Sequence, residues 1–67
     1  MTISFEKLWQ LLASKNMLIK DLQEKTGISS TIMAKMRKNQ DVSTRTLLRI
    51  CIALNCDISD IMEIVKI

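Results

Sequence analysis

Side chains that can bind an anion or a hydrogen-bonding surface are concentrated in one short stretch, GISSTIMAKMRK, at residues 27–38. Three small hydroxyl residues, Ser29 to Thr31, follow the only glycine of the chain, and the cations Lys35, Arg37 and Lys38 come within the next turns. Hydroxyl groups donate and accept hydrogen bonds, while lysine and arginine neutralise negative charge. The stretch therefore predicts non-covalent recognition of a polar or anionic surface.

The rest of the chain lacks the residues that covalent catalysis needs. There is no histidine and no tyrosine, and no cysteine or serine stands beside an evident base. Cys51 and Cys56 are too few for a disulfide framework, and a structural zinc site needs about four cysteine or histidine ligands. Cys51 is therefore interpreted as a small apolar residue on a helix face. The sequence predicts no catalytic centre, cofactor, metal or small-molecule ligand.

Positive charge is concentrated in the middle of the chain. Between residues 15 and 49, eight Lys or Arg residues stand against three acids, a balance of +5. From residue 50 onwards, one Lys stands against Asp57, Asp60 and Glu63, a balance of −2. This asymmetry favours a polyanionic partner for the middle of the chain. An ordinary solvated helix surface is the alternative explanation of the charge pattern alone.

Length and composition predict one small helical domain over residues 1–67. The chain has no proline and is 48% hydrophobic, which favours helices around a single core. No apolar run approaches the roughly 20 residues that span a bilayer, and the opening MTISFEKLW lacks the segments of a signal peptide. We therefore expect an all-α, cytoplasmic protein with no membrane segment, whose fold uses the entire chain.

Apolar residues recur at helical spacing in five segments, most clearly at Phe5, Leu8, Trp9 and Leu12. The segments predict helices at about 5–15, 18–26, 29–38 and 44–54, and a fifth that is capped by Asp57 and carries Ile58, Ile61, Met62 and Val65. A short strand at the final IVKI is a weak alternative for the end of the fifth helix.

Several of these helices are bounded by residues that suit helix termini. Ser4, Ser29 and Ser43 are candidate N-caps. Gly27 and Asn55 suit the left-handed conformation that often ends a helix.

The second and third helices would form a tight corner around Gly27. The apolar residues that clamp this corner would be Leu22, Ile28, Met33 and Met36. The side chains that then face outwards would be Ser30, Thr31, Lys35 and Lys38. A helix with such residues near its N-terminus can enter the major groove of DNA, where hydroxyl groups and lysine hydrogen-bond base edges. The N–H groups at the start of the third helix also favour a phosphate.

The stretch LIKDLQEKTGISSTIMAKMRKNQDVSTRTLLRICIALNCDISDIM resembles the helix-turn-helix domain of the Cro/lambda-repressor-like (Xre) family. The resemblance extends from about Phe5 to Met62, and the part TLLRICIALNCDISDIM is typical of a small single-domain branch. It implies a compact five-helix domain whose second and third helices bind double-stranded DNA. The implied function is a transcriptional regulator, a repressor of bacterial or prophage type, that acts as a homodimer.

The resemblance also implies roles for individual positions. Its base-reading surface falls on Ser29, Ser30, Thr31 and Lys35, with Ile32 beside them. Its phosphate contacts fall on Ile19 and Lys20 at the start of the second helix, on Arg37, Lys38 and Asn39 after the third, and on Ser43, Thr44 and Arg45 where the fourth begins.

Three positions depart from the family pattern. Ile19 stands where a glutamine often braces a phosphate contact, and Gln23 stands where a small alanine usually lets the second helix cross the third. Gln23 must then turn its polar end outwards. Ile32 stands where a polar reader is common, and it could touch a thymine methyl, contact a protein partner or pack at the core margin.

The departures keep a second function open. In this alternative the chain is a protein-interaction module, antitoxin-like or a regulatory subunit, which uses the helix-turn-helix surface to bind a protein. The basic middle of the chain argues against it. For the homodimer, we expect the apolar fifth helix and the tail IMEIVKI to pair two copies. Alternatively, Ile61, Met62 and Val65 only cover the core, and Ile64 and Ile67 are left over.

Overall fold

The chain is described here over residues 1–66 by a computed structural model. In chain order it forms strand β1 (Thr2–Ser4), helices α1 (Glu6–Ser14), α2 (Ile19–Thr26), α3 (Ser30–Arg37) and α4 (Thr44–Leu54), a 3₁₀ helix (Ile58–Asp60) and strand β2 (Glu63–Val65). Over these residues the fold is mostly helical, with four α-helices and a two-stranded sheet. The predicted five-helix, all-α architecture is therefore correct only in part.

The inward faces of the four helices meet in one hydrophobic core. Its buried members are Phe5, Leu8, Leu12, Leu22, Ile28, Met33, Met36, Leu47, Ile50, Leu54 and Ile61. The four residues predicted to clamp the corner around Gly27 are all among them. Trp9 is half-buried against this core, as a core-edge aromatic would be. The helical spacing of apolar residues thus correctly predicts the inward sides of α1 and α3, whereas Leu18 and Leu48, at helical spacing in the second and fourth segments, are 67% and 58% exposed.

The N-termini of α3 and α4 are capped as the sequence predicts. Ser29 Oγ accepts the N–H of Ile32 at 3.3 Å, and Ser43 Oγ accepts the N–H of Thr46 at 3.2 Å. Each bond satisfies one backbone donor that has no partner within its helix. At α1 the N-cap position belongs to Phe5 instead of the predicted Ser4.

Left-handed residues follow the C-terminal ends of all four helices. Gly27 ends α2 with φ of 72° and Asn55 ends α4 with φ of 51°, as predicted. Asn16 and Asn39 take the same conformation after α1 and α3, with φ of 54° and 57°. Asparagine tolerates this region better than most residues with a side chain, so each turn can reverse the chain sharply.

The predicted fifth helix is wrong. Asp57 does cap a turn, because its Oδ1 accepts the N–H of Ile58 and Asp60 Oδ2 accepts the N–H of Asp57, both at 2.9 Å. That turn is the 3₁₀ helix Ile58–Asp60, and Ile61, which follows it, is fully buried. The chain beyond it is extended, since β-branched residues such as Val65 suit a strand.

The extended tail pairs with the start of the chain. In antiparallel register, Thr2 lies opposite Val65, Ile3 opposite Ile64 and Ser4 opposite Glu63. Lys7 reinforces this closure, because its Nζ donates to the carbonyl of Ser59 at 3.0 Å and lies 3.8 Å from Glu63 Oε2. A strand at β2 was only the weak alternative, and β1 was not predicted. The surface expected to pair two copies therefore lacks its helix, and Ile67 lies outside the described residues.

Candidate nucleic-acid interface

Helix α3 presents one polar face to the solvent. Residues advance by about 100° per position around a helix, so Thr31, Lys35 and Lys38 lie on the side opposite to the buried Met33 and Met36. The three side chains are exposed. Among residues 1–66, no hydrogen bond or ion pair is formed by any of them through its side chain. This face can therefore offer a hydroxyl and two ammonium groups to an external acceptor.

The other three predicted base readers have contacts within the protein. Ser29 Oγ caps α3 through Ile32, and Ser30 Oγ accepts a hydrogen bond from Gln23 Nε2 at 3.3 Å. Ile32 is half-buried and packs against the core. Of the three interpretations of Ile32, packing at the core margin is the one visible in the contacts. Ser29 and Ser30 keep their hydroxyl protons available to an outside acceptor.

Gln23 does not simply turn its amide into the solvent, as the sequence suggests. It is half-buried, and its Nε2 also approaches the carbonyl of Ile28 at 3.4 Å. Together with the bond to Ser30, this contact joins α2 to the start of α3 across the Gly27 turn. The departure from a small residue at this position is thus accommodated by hydrogen bonds that hold the corner together.

A shallow groove runs between α2 and α3. Ile19, Gln23, Ser30 and Arg37 line it. Two of the predicted phosphate contacts, Ile19 and Arg37, therefore lie close together although they are far apart in the sequence. Lys20 is exposed in the first turn of α2. Arg37 and the start of α2 can thus contribute to one anion contact at this groove.

Asn39 lies between α3 and α4 and holds the start of α1. Its Oδ1 accepts the N–H of Phe5 at 3.0 Å, across a separation of 34 residues. Only its side-chain N–H groups remain available for a predicted phosphate contact. This structural role was missed, although an asparagine directly after a predicted helix is a signal for a left-handed turn.

The N-terminus of α4 brings together Ser43, Thr44 and Arg45. Thr44 and Arg45 are exposed in its first turn. Ser43 Oγ is 3.0 Å from the hydroxyl of Thr46, which is buried. Since helix N-termini attract anions, this end of α4 is suited to a phosphate. Most of the predicted residues thus lie on the outward face of α3 or at the starts of α2 and α4, whereas Ile32 packs against the core and Asn39 bonds to the start of α1.

Electrostatics favour an anionic partner for these surfaces. Within residues 1–66, the only ion pair joins Lys7 to Glu63, near the opposite ends of the chain. The exposed cations of the predicted interface are Lys20, Lys35, Arg37, Lys38 and Arg45. Because none of them is paired with a carboxylate there, their positive field is directed into the solvent.

Among residues 1–66, no three His, Cys, Asp or Glu side chains cluster as metal ligands would. No helix in the same range is long and apolar enough to cross a bilayer.

Comparison with known proteins concerns the family and the fold of the chain. Residues 7–66 match the family of Cro/C1-type HTH DNA-binding domains. The chain is similar to the transcriptional regulator VanUg in its crystal structure, Form II, with 45% sequence identity and a TM-score of 0.90. The match covers 92% of this chain and 83% of that chain. No curated protein matches the sequence significantly. The match over most of its length shows that the chain belongs to the Cro/C1-type helix-turn-helix DNA-binding domain family.

Proposed function

We propose that the chain is a sequence-specific, double-stranded DNA-binding transcriptional regulator that acts as a repressor of bacterial or prophage type. The family and the similarity to a transcriptional regulator support DNA-binding regulation rather than enzymatic activity. The proposal adds that α3 reads base edges in the major groove. It also places the protein in the cytoplasm, as the sequence suggests, and has it act as a homodimer.

The observation that carries the proposal is the outward face of α3. Thr31 and Lys35 lie one turn apart on it, both exposed. A lysine can hydrogen-bond O6 and N7 of guanine, and a threonine can offer its hydroxyl to a base or its methyl to thymine. These two residues are the proposed base readers, whereas Ser29 and Ser30 support them from the capped N-terminus of α3.

Phosphate contacts on both sides would fix α3 in the groove. We assign one contact to Lys20 and the main chain at Ile19, with Arg37 across the α2–α3 groove. We assign the other to Lys38 and Asn39 together with Ser43, Thr44 and Arg45 at the start of α4. Contacts of this kind position a protein on the duplex without reading its sequence.

The alternative function, a module that binds a protein through the same surface, loses its best support. Ile32, which favoured it, is half-buried against the core and offers little apolar area. The unpaired cations of the interface suit a polyanion better than an ordinary protein surface.

The salt dependence of DNA binding tests the proposal. We would titrate a labelled duplex with the protein at several salt concentrations and follow fluorescence anisotropy. The slope of log affinity against log salt should be about −0.9 per phosphate contact. Lys20→Ala should make the slope shallower by about that amount, since one contact is lost.

Lys25→Ala provides a matched control on the same helix. Lys25 lines a different groove, formed with Lys15 and Asp21 on another side of α2. Its slope should equal that of the wild type. An absence of duplex binding at low salt, or equal slopes for all three proteins, would reject the assigned surface.

A further inference from the structure

Helix α4 exposes an apolar ridge on the side that faces away from the core. Leu48 is 58% exposed and Ile52 is 70% exposed. They lie one turn apart, roughly opposite to the buried Leu47, Ile50 and Leu54. The fold therefore does not need these two side chains for its own core, and their exposure leaves a continuous apolar surface in water.

The ridge borders an apolar groove between α4 and the 3₁₀ helix. Cys51, Cys56 and the exposed Ile58 contribute to its lining. Burial, reinforced by the neighbouring Cys51 thiol, raises the pKa of Cys56 above its ordinary value. At neutral pH the Cys56 thiol is therefore uncharged, and the groove keeps its apolar character.

Opposite charges stand at the two ends of this surface. Arg45 lines the groove at the N-terminal end of α4, whereas Asp57 and Asp60 line it at the other end. Arg45 and Ile52 are separated by seven residues, or about 10 Å along the helix. If a second identical surface is laid across the first in antiparallel orientation, each arginine lies near two carboxylates and the apolar centres coincide.

We propose that the outer face of α4 is the homodimer interface and that a second copy of this chain docks there about a two-fold axis, with the two α4 helices antiparallel. Leu48 of one copy then packs near Ile52 of the other. A two-fold interface must be complementary to itself, and this arrangement of charged ends and apolar centre meets that requirement. The interface replaces the C-terminal tail as the predicted pairing surface.

The area that a dimer interface needs can be compared with the surface of the chain. Standard interfaces bury about 800 Å² per partner. That area is roughly a sixth of the 4624 Å² that the chain exposes. The inference rests on the homodimer part of the proposed function but not on DNA binding, because the pairing is measured without DNA. Arg45, which the proposed function assigns to a phosphate on DNA, is exposed and can pair with the carboxylates of the other copy in that measurement.

Equilibrium sedimentation of two matched variants tests the position of the interface. Ile52→Lys should weaken dimerisation at least about tenfold, since a charge enters the apolar centre of both copies. Ile64→Lys should leave it unchanged, although Ile64 is equally exposed at 69% and lies on β2. Wild-type protein that stays monomeric at high micromolar concentration would overturn the proposal. So would dissociation by Ile64→Lys with Ile52→Lys unaffected, since that result returns the interface to the tail.

A charge exchange tests the antiparallel arrangement. Arg45→Glu and Asp60→Lys should each weaken the homodimer, because like charges then face one another across it. An equimolar mixture of the two variants should restore dimers, since the introduced glutamate of one copy would meet the introduced lysine of the other. Circular dichroism of each variant checks that it is folded. A mixture of folded variants that stays monomeric would overturn the antiparallel pairing. The duplex titration of the wild-type chain does not depend on this result, so it separates a failure of the pairing from a failure of DNA recognition.

Discussion

The outward face of α3 and the outward face of α4 are both open to solvent, yet they carry opposite kinds of side chain. On α3 that face holds Thr31, Lys35 and Lys38, while on α4 it holds Leu48 and Ile52. Both helices bury apolar residues on their inner sides. The inner sides are therefore explained by the fold, and the difference between the outer sides indicates different partners.

Amino-acid composition alone does not distinguish the outer face of α3 from that of α4. The polar face of α3 is ordinary for a surface helix, so its functional meaning comes from the family and from the unpaired cations around it. The apolar face of α4 is unusual for a surface that stays in water. The proposal that a second copy covers it rests on this face and not on the family.

The largest effect should come from testing the two sides of α4 against each other. Leu47→Ala should lower the free energy of unfolding by about 2–5 kcal/mol, because it leaves a cavity in the core. Leu48→Ala should change it by no more than about 0.5 kcal/mol. Leu47 is 7% exposed and its neighbour 58%. Urea unfolding followed by Trp9 fluorescence, at dilutions where the chain is monomeric, measures both.

Equal losses for the two leucines would contradict this comparison. Leu48 would then belong to the core in solution, and the apolar ridge of α4 would not be a separate surface.

The next effect concerns the face of α3. Lys35→Ala should cost about 1–3 kcal/mol on the preferred DNA site and relax the preference at one base pair. Lys38→Ala should weaken binding to all sequences alike, since we assign Lys38 to a phosphate contact. Competition titrations with single-base variants of the site distinguish the two. If both variants lower the affinity for every sequence by the same factor, Lys35 does not read a base.

The smallest effect concerns Asn39, which lies where the proposed DNA-binding surface meets the rest of the fold. Asn39→Gly should lower the free energy of unfolding by about 1 kcal/mol, because glycine keeps the left-handed turn but loses the bond to Phe5. Asn16→Gly is the control, since Asn16 has the same conformation and no side-chain hydrogen bond within residues 1–66. Urea unfolding of both variants gives the values. Equal stability of the two would show that the bond between Asn39 and Phe5 does not contribute.

Local features allow much of this fold to be predicted from the sequence. Ser29 and Ser43 cap their own helices, and Gly27 and Asn55 end theirs, so α2, α3 and α4 begin and end close to the predicted residues. The prediction of a fifth helix was wrong because Asp57 can cap the first turn of an α-helix or of a 3₁₀ helix equally well. The pairing of Ile3 with Ile64 joins opposite ends of the chain, and no local pattern reveals it.

The candidate site shows the same limit. The residue types on α3 predict an exposed polar face, which follows from helical periodicity alone. The contacts of Asn39 with Phe5 and of Gln23 with Ser30 depend on tertiary proximity, so the sequence offered Asn39 only as a phosphate contact. The exposure of Leu48 and Ile52 was hidden for a related reason. Leucine and isoleucine in an amphipathic helix are expected to face the core, and the apolar stripe of α4 is wider than the core can cover.

Selection from a pool of random duplexes, followed by sequencing of the bound fraction, tests whether α3 reads the sequence of duplex DNA. We expect enrichment of an inverted repeat whose half-sites lie about one helical turn apart, roughly 10 base pairs. Enrichment of a single short site would support base reading by α3 and reject the homodimer. No enrichment at low salt would show that α3 does not read DNA and would favour a protein as the partner of this surface.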